Sequence, residues 1–297
     1  MINVLIIGFG LLGASFGLAL KGKGYHRVCC TRNSTARNWA LRENAADEVC
    51  DDPKKAIPLA DITFMALPIP VILQYVHDYA TLWKENSIVT DMGSVKGVVM
   101  EIAEREFAGR KVQFVGGHPM AGTEFSGHEH AFSSMFKGAD VFLCPASNTS
   151  MAAVCQIKEI WESVGTNVIP LSPEEHDTLV SHTSHVQHIV ASALTLTVLG
   201  SHDEREKMLR AAGCASGFRD TSRIASSNPR MWREIVEMNT PAILTALEHF
   251  EDKLAELHKI IATGDYDEFE RQFAYGKCLR DTWMAEKSIP RNPVMKE

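Results

Sequence analysis

The sequence lacks several features that mark particular classes of protein. Its seven cysteines include no CxxC pair and are odd in number, which favours reduced thiols in a cytoplasmic protein. No apolar run approaches the roughly 18 residues of a membrane span, and no basic leader precedes the first strand, so we expect a soluble, unprocessed protein. The net charge of -7 argues against a nucleic-acid partner. Any anionic ligand must therefore be held by local basic groups.

The length and the order of the predicted elements indicate two domains. A chain of 297 residues exceeds the usual size of a single core, and 45% hydrophobic with 23% charged residues is ordinary for a globular protein. Strands and helices alternate up to Ser172-Pro173, which has the residue types of a helix start, and only helices are predicted after it. We therefore predict a doubly wound parallel sheet of the Rossmann type at 1–171 and an all-α domain for substrate binding and dimerisation at 172–297.

The N-terminus has the pattern of a dinucleotide-binding turn. An apolar strand from Ile2 to Ile7 leads directly into a GxGxxG motif, and a helix is predicted from Leu11 to Lys21. The first glycine permits the tight turn, the second lets the backbone approach a pyrophosphate, and the third lets the helix pack on the strand. The predicted cofactor contacts here are Gly8, Gly10, Leu11, Leu12 and Gly13.

The end of the second predicted strand lacks the acidic residue that typically binds the ribose hydroxyls of NAD. The strand from Arg27 to Thr31 is followed by no acid before Glu43. In its place stand four polar groups suited to a phosphate: Thr31, Arg32, Asn33 and Ser34. This composition predicts a preference for NADP, the alternative being a polar loop whose arginine points to solvent.

Two further strand ends are expected at the same edge of the sheet. Leu67 and Pro68 follow a strand from Ile62 to Ala66, either as cofactor contacts or as a simple strand stop. Ser94 follows the next strand, where it either caps the helix that begins there or presents its hydroxyl to the nicotinamide or the substrate.

A glycine-flanked histidine provides the candidate for acid–base chemistry. The strand from Val112 to Val115 leads into Gly116 and Gly117, whose backbone freedom predicts that His118 is held in a loop at the end of the sheet. Ligands bind at that edge in open α/β sheets, and histidine can exchange a proton near neutral pH. The alternative is that His118 merely caps a turn.

Two stretches of the helical half are unusually polar. The stretch from Val180 to Leu199 is predicted to be a central buried helix ended by Gly200, yet it carries three histidines. These could be metal ligands, core or interface residues, or polar contacts to a substrate; no cysteine or carboxylate stands at ligand spacing, and we predict no metal.

In the second polar stretch, Arg223 is suited to clamp a carboxylate, since a guanidinium can donate two parallel hydrogen bonds. A salt bridge is the alternative role for this arginine. Asp220, three residues before it, could orient the guanidinium.

Together these motifs resemble the prephenate and arogenate dehydrogenases of tyrosine biosynthesis over nearly the whole chain. The resemblance rests on five stretches in order: Gly8 to Gly13, Asp91 to Gly97, Gly116 to Glu124, Ser181 to His185, and Gly217 to Trp232. The family implies oxidative decarboxylation of a cyclohexadienol, in which the ring carbon loses a hydride, its hydroxyl loses a proton and the ring carboxylate leaves as CO2. The products would be 4-hydroxyphenylpyruvate from prephenate and tyrosine from arogenate.

The resemblance also implies roles for individual residues. His118 would take the hydroxyl proton, Ser94 would hydrogen-bond to the same region, and Arg223 would hold the ring carboxylate. His185 and Trp232 would line the substrate site, with Thr123 and Asp220 as further candidate contacts. The family further implies a homodimer formed through the helical domain.

The sequence departs from the family pattern in one place and leaves alternatives open. The family often has Ser-His-Leu-Pro-His where we align Ser181 to His185. We expect neither a chorismate mutase segment nor a regulatory domain, and the motifs do not separate prephenate from arogenate. A β-hydroxyacid or imine reductase would place a lysine on a helix of the second half, whereas Val180 to Leu199 contains none. A protein that senses a dinucleotide without turnover is disfavoured because the sequence contains both His118, a candidate base, and Arg223, a candidate carboxylate ligand.

Overall fold

The first part of the chain forms one eight-stranded sheet. The structure is a computed structural model that describes residues 1–123 and 125–288. Its strands are β1 (Ile2–Ile7), β2 (Tyr25–Cys30), β3 (Glu48–Cys50), β4 (Ile62–Met65), β5 (Ile88–Asp91), β6 (Gln113–Pro119), β7 (Asp140–Pro145) and β8 (Asn167–Pro170). Their order across the sheet is β3-β2-β1-β4-β5-β6-β7-β8. The reversal of strand order beside β1 creates the crevice in which such sheets bind nucleotides.

The direction of the strands differs from the prediction at one edge. The six strands from β3 to β6 are parallel to their neighbours, but β7 runs antiparallel to β6, and β8 is parallel to β7. The prediction of a wholly parallel sheet is therefore wrong for the last two strands. An antiparallel neighbour needs no crossover helix, and the described residues between β6 and β7 contain no α-helix.

Helices cover both faces of the sheet, as a doubly wound fold requires. They are α1 (Leu11–Ala19), α2 (Ser34–Arg42), α3 (Pro53–Ala56), α4 (Ile69–Asp78), α5 (Gly97–Glu106) and α6 (Met151–Ser163). Helices α1, α2 and α6 supply one buried cluster, which includes Phe16 and Trp161. Helices α3, α4 and α5 supply the cluster on the opposite face. The Rossmann-type fold class is confirmed.

The rest of the described chain is helical. Its helices are α7 (Pro173–Val180), α8 (Val186–Leu199), α9 (Glu204–Gly213), α10 (Ser216–Ser222), α11 (Pro229–Met238), α12 (Thr240–Thr263) and α13 (Tyr266–Ser288). The predicted start at Ser172 is present as a capping box with Glu175. The described residues divide into two compact units, and the division lies between residues 243 and 244. The domain boundary at 171/172 stays a prediction. None of the described helices is long and apolar enough to cross a membrane.

The stretch predicted as one buried helix is neither continuous nor buried in the single chain. A π-helical turn, Ser181–His185, separates α7 from α8. Within α8, Val186 and Ala191 are buried, whereas Leu196 is 69% exposed. The prediction of a buried helix is therefore wrong for the isolated chain, because the apolar composition reflects a face that the chain itself leaves open. Gly200 ends the helix as expected.

Candidate active site

The turn between β1 and α1 has the shape that a pyrophosphate requires. Gly8 has φ +89°, and a Cβ there would lie 2.3 Å from the Ala66 carbonyl oxygen. A Cβ on Gly13 would lie 2.0 Å from the Gly8 carbonyl oxygen, so both positions exclude larger residues. A Cβ on Gly10 would meet no described atom within 4 Å, and Gly10 begins α1 without a side-chain cap. The open first turn of α1 therefore fits the anionic part of a dinucleotide.

The neighbouring candidates also lie around this turn. Leu11 and Leu12 form the first turn of α1 and are half-buried. Leu67 lies against Gly8, since its Cδ2 would be 2.7 Å from a Cβ at that glycine. Pro68 is exposed at the start of α4. These positions place all four residues at the carboxyl ends of β1 and β4.

Of the polar residues after β2, some are hydrogen-bonded within the loop and others are exposed to solvent. The Asn33 side-chain oxygen caps α2 by accepting hydrogen bonds from the backbone N–H groups of residues 35 and 36 at 2.9 and 3.2 Å. The hydroxyl of Thr31 accepts from the Asn33 backbone N–H at 3.3 Å. Arg32 and Ser34 are exposed, and the described residues offer Arg32 no salt-bridge partner. Arg32 and Ser34 are thus the groups available to a ligand.

His118 lies inside a strand, so the prediction of a loop is wrong. It belongs to β6 and pairs with Phe142 of β7. Gly116 and Gly117 do not adopt the left-handed conformation that was expected. They are required by space instead, because a Cβ would lie 2.7 Å from the Met100 sulfur at Gly116 and 2.6 Å from the Asp91 carbonyl oxygen at Gly117. The extra antiparallel pairing with β7 extends the strand past both glycines.

A chain of buried hydrogen bonds connects His118 to an aspartate on α7. His118 Nδ1 lies 2.8 Å from His176 Nε2, and His176 Nδ1 lies 2.7 Å from Asp177 Oδ1. His118 is 9% exposed and His176 is fully buried. Burial lowers the pKa of His118 well below its usual value, and the neighbouring His176, Lys96 and His185 act in the same direction. His118 is therefore neutral at pH 7 and able to accept a proton.

Asp177 connects this chain to the start of α5. Its carboxylate accepts hydrogen bonds from the backbone N–H groups of Lys96 and Gly97 at 2.7 and 2.8 Å. Burial alone would raise the pKa of Asp177, but the hydrogen bonds from His176, Lys96 and Gly97 outweigh it and lower the pKa. Because Asp177 caps α5, the alternative in which Ser94 caps this helix is wrong. Ser94 lies three residues before the helix, half-buried, and its hydroxyl makes no hydrogen bond with the described residues.

A second buried charge pair supports the same region. Lys96 Nζ donates to Asp91 Oδ2, and both side chains are fully buried. Asp91 also accepts from the backbone N–H groups of Gly93 and Gly117 at 2.8 and 3.1 Å. This pair therefore holds β6 beside the end of β5.

The histidines of the second half have distinct surroundings. His185 is 1% exposed, burial lowers its pKa to about 4, and it lies 3.4 Å from the Asn239 amide nitrogen. The rings of His185 and Trp232 meet edge to face with centroids 5.8 Å apart, whereas His188 stacks on Trp232 at 4.0 Å. His182 is exposed. The described residues contain no group of three histidines, cysteines or carboxylates suited to a metal ion.

A pocket of about 770 Å³ lies beside Trp232, lined by His188, Ile189, Ile224, Arg233 and Val236 among others. Arg223 adjoins it, next to the lining residue Ile224; burial is the main cause that lowers the pKa of His188, and the charge of Arg223 acts in the same direction. Arg223 is exposed and has no salt-bridge partner among the described residues. The expectation that Asp220 orients Arg223 is wrong, because Asp220 pairs with Arg219 at 3.2 Å. A guanidinium without an internal carboxylate is available to a ligand.

The structure brings some of the predicted substrate residues together and leaves others apart. His118 and His185 interact electrostatically, and His185 contacts Trp232. Thr123 is exposed after β6 and its hydroxyl accepts from the Phe125 backbone N–H at 3.2 Å. Sequence reasoning missed His176 and Asp177 and left the role of His188 open. A signal for His188 was present, because residues 184–188 repeat the Ser-His-x-x-His spacing that was assigned to 181–185.

Comparisons with known proteins agree with the motifs. The chain matches family models of the prephenate dehydrogenase nucleotide-binding domain over residues 16–170 and of the prephenate dehydrogenase dimerization domain over residues 172–275. The cyclohexadienyl dehydrogenase of Zymomonas mobilis is 31% identical over 94% of each chain. The prephenate dehydrogenase of Bacillus subtilis is 34% identical over 94% of this chain and 74% of its own. A crystal structure of prephenate dehydrogenase from A. aeolicus with hydroxyphenyl propionate and NAD+ has a TM-score of 0.87 and 31% identity, covering 95% of this chain and 98% of that one.

Proposed function

Because the chain belongs to the prephenate dehydrogenase family, we propose that it oxidatively decarboxylates prephenate, arogenate or both. The products are 4-hydroxyphenylpyruvate and tyrosine respectively, and the electrons pass to a nicotinamide dinucleotide. The observation that carries the proposal is the position of His118, a buried neutral histidine near the carboxyl end of β6, in the sheet whose first strand leads into the dinucleotide turn. A general base needs these two properties, an unprotonated nitrogen and a fixed position.

The residues of this chain have separable roles in that reaction. An oxidised dinucleotide would supply the electron acceptor, and the open first turn of α1 would hold its pyrophosphate. His118 takes the proton of the ring hydroxyl, and its low exposure keeps water away from the transfer. Arg223 holds the ring carboxylate, and His185 with Trp232 forms the wall between these two groups. Ser94, whose hydroxyl has no partner among the described residues, is free to bind the substrate hydroxyl.

Initial rates with each substrate and each cofactor test the proposed function. Purified protein is mixed with prephenate or arogenate and with oxidised NAD or NADP, and the absorbance of the reduced cofactor is followed. We expect turnover with at least one substrate. Absence of turnover in all four mixtures, with dinucleotide binding intact, would favour a sensor, and turnover of a β-hydroxyacid alone would favour the reductase alternative.

The exposed groups after β2 support a preference for NADP. Arg32 and Ser34 are open, and α2 begins at Ser34 with no acidic residue in its first turn. The carboxylate of Asp51, which follows β3, lies 3.9 Å from the Arg37 guanidinium, so its charge is offset. Arg37 also donates to the Thr31 carbonyl oxygen at 2.7 Å and is committed to the loop. Arg32 is thus the arginine available to a 2′-phosphate.

Replacing Arg32 with Ala tests this preference. Loss of its charged contacts, worth about 1.5 to 3 kcal/mol, should raise the KM for NADP by roughly tenfold or more and leave the KM for NAD nearly unchanged. Arg42→Ala is the matched control, because Arg42 lies at the far end of the helix that follows Arg32 and pairs with Glu43 at the surface. Equal losses with both cofactors, or a wild-type protein that prefers NAD, would show that this loop does not recognise the phosphate.

The open apolar side chains of the helical part support a homodimer. Leu196 of α8 and Met208 and Leu209 of α9 are all more than half exposed. The matched family model for residues 172–275 describes a dimerization domain. A second copy would bury these side chains. We expect light scattering at micromolar concentration to give about twice the chain mass of 32.9 kDa, whereas a mass near that of one chain would contradict the dimer.

A further inference from the structure

In the hydrogen bonds that link His118, His176 and Asp177, the ionisation of Asp177 determines which atom is the donor and which is the acceptor. An ionised carboxylate only accepts hydrogen bonds, and the pKa of Asp177 is lowered, so Asp177 is ionised at neutral pH. His176 Nδ1, 2.7 Å away, must therefore carry the proton and donate it. In a neutral imidazole with Nδ1 protonated, Nε2 is an acceptor. His118 Nδ1, 2.8 Å from that acceptor, must then be the donor.

We propose that His176 and Asp177 are positioning residues that hold His118 with its proton on Nδ1, so that Nε2 carries the lone pair that acts as the base. The catalytic part of this inference rests on the proposed function, whereas the tautomer is a property of the protein alone. When Nε2 takes the substrate proton, Nδ1 keeps its own, and His118 donates to both sides. No proton needs to leave His176, and the ionised Asp177 balances the new charge.

The surroundings fix this arrangement from every side. Phe142 packs edge to face against both rings, with centroids 6.4 Å from His118 and 5.7 Å from His176. Asp177 is itself held by the two backbone N–H groups that begin α5. The other charged or titratable groups near His118 are the Lys96–Asp91 pair and His185. None of these three donates to or accepts from the His118 ring in the described structure, so His176 is its hydrogen-bond partner.

Two replacements of His176 test the contributions of its two ring nitrogens separately. Gln can place a carbonyl oxygen where Nε2 stands and so still accept from His118. Asn is shorter, and it can keep a bond to Asp177 at the Nδ1 position but cannot reach His118. Comparing the two variants therefore tests whether His118 needs a hydrogen-bond acceptor at the position of His176 Nε2. Both replacement side chains are polar and similar in shape. His77→Asn is the control, since His77 is an exposed histidine paired with Glu106 at 3.0 Å.

The readout is the tautomer of His118 by NMR of the full chain labelled with ¹⁵N-histidine. The chain has 12 histidines, and the His118 signals are identified by their loss in His118→Asn. In the wild type and in His176→Gln we expect the proton on Nδ1. In His176→Asn we expect a shift toward the Nε2–H form, and kcat lower by roughly 10- to 100-fold, a smaller loss than the roughly 10² to 10⁴ expected for removal of the base. The KM should change by less than about threefold, because the substrate contacts are intact.

Three results would overturn the proposal. These are a wild-type His118 protonated on Nε2, an unchanged tautomer in His176→Asn whatever its kcat, and a changed tautomer without loss of kcat. Should His176→Asn fail to fold, the tautomers of His118 in the wild type and in His176→Gln still test the proposal. Failure of the proposed function looks different, because the protein would then turn over neither substrate while His118 kept its proton on Nδ1.

Discussion

Replacing His118 with Asn is expected to lower kcat by roughly 10² to 10⁴, the usual contribution of a general base. Asn preserves some of the size and hydrogen bonding of histidine but cannot accept the substrate proton. The affinity for the dinucleotide should survive, because the glycine turn and the start of α1 are formed by other residues. Steady-state rates combined with a titration of cofactor binding check both parts.

The same experiment has a clear contrary outcome. A His118→Asn protein with near-normal kcat would exclude His118 as the base, wherever the cofactor binds. The surface variant His77→Asn serves as its control and should retain wild-type rates, because His77 lies on α4 and pairs with Glu106.

Replacing Arg223 with Ala should mainly weaken substrate binding. A charge-assisted hydrogen bond contributes about 1.5 to 3 kcal/mol, so the affinity should fall by about tenfold to 150-fold. The structure supports this role because Arg223 has no salt-bridge partner among the described residues and lies close enough to His188 to lower its pKa. An effect on kcat would also be consistent, since the carboxylate loses its charge as CO2 leaves. Substrate titration and initial rates measure the two effects.

Arg205→Ala is a suitable control for that variant. Arg205 is an exposed arginine on α9 and does not line the pocket. Its removal changes the net charge by the same amount and should leave substrate affinity unaltered. Unchanged affinity and unchanged kcat in Arg223→Ala would show that the substrate carboxylate binds elsewhere.

The features that the sequence predicted well are local in the chain. The strand Ile2–Ile7 and the glycine turn after it follow from apolar patterning and from backbone conformation within about a dozen residues. The capping box at Ser172 is equally local. These signals need no partner from elsewhere in the chain, and the structure has each of them.

The errors arose where distant residues decide the outcome. His118 lies in a strand because β7 pairs with it, and Ser94 is displaced as a cap because Asp177, about 80 positions later, takes the two N–H groups. His176 was overlooked because nothing in its own stretch of sequence marks it as functional. Its importance depends on a contact with His118 across 58 positions. Short-range patterns carry no information about such contacts.

The Val180 to Leu199 stretch shows a different limit. Its apolar composition predicted burial, but α8 leaves Leu196 and other side chains open in the single chain. An apolar composition predicts that a helix surface will be buried, but it does not predict whether the same chain or a second chain buries it.

The most direct test of the central claim is the stoichiometry of the reaction. Purified protein is given limiting prephenate or arogenate with excess oxidised dinucleotide, and the CO2 released is compared with the dinucleotide reduced. Oxidative decarboxylation by this site predicts equal amounts of both, with the two falling together in His118→Asn. Reduction of the dinucleotide without release of CO2, or release of CO2 without reduction, would contradict it.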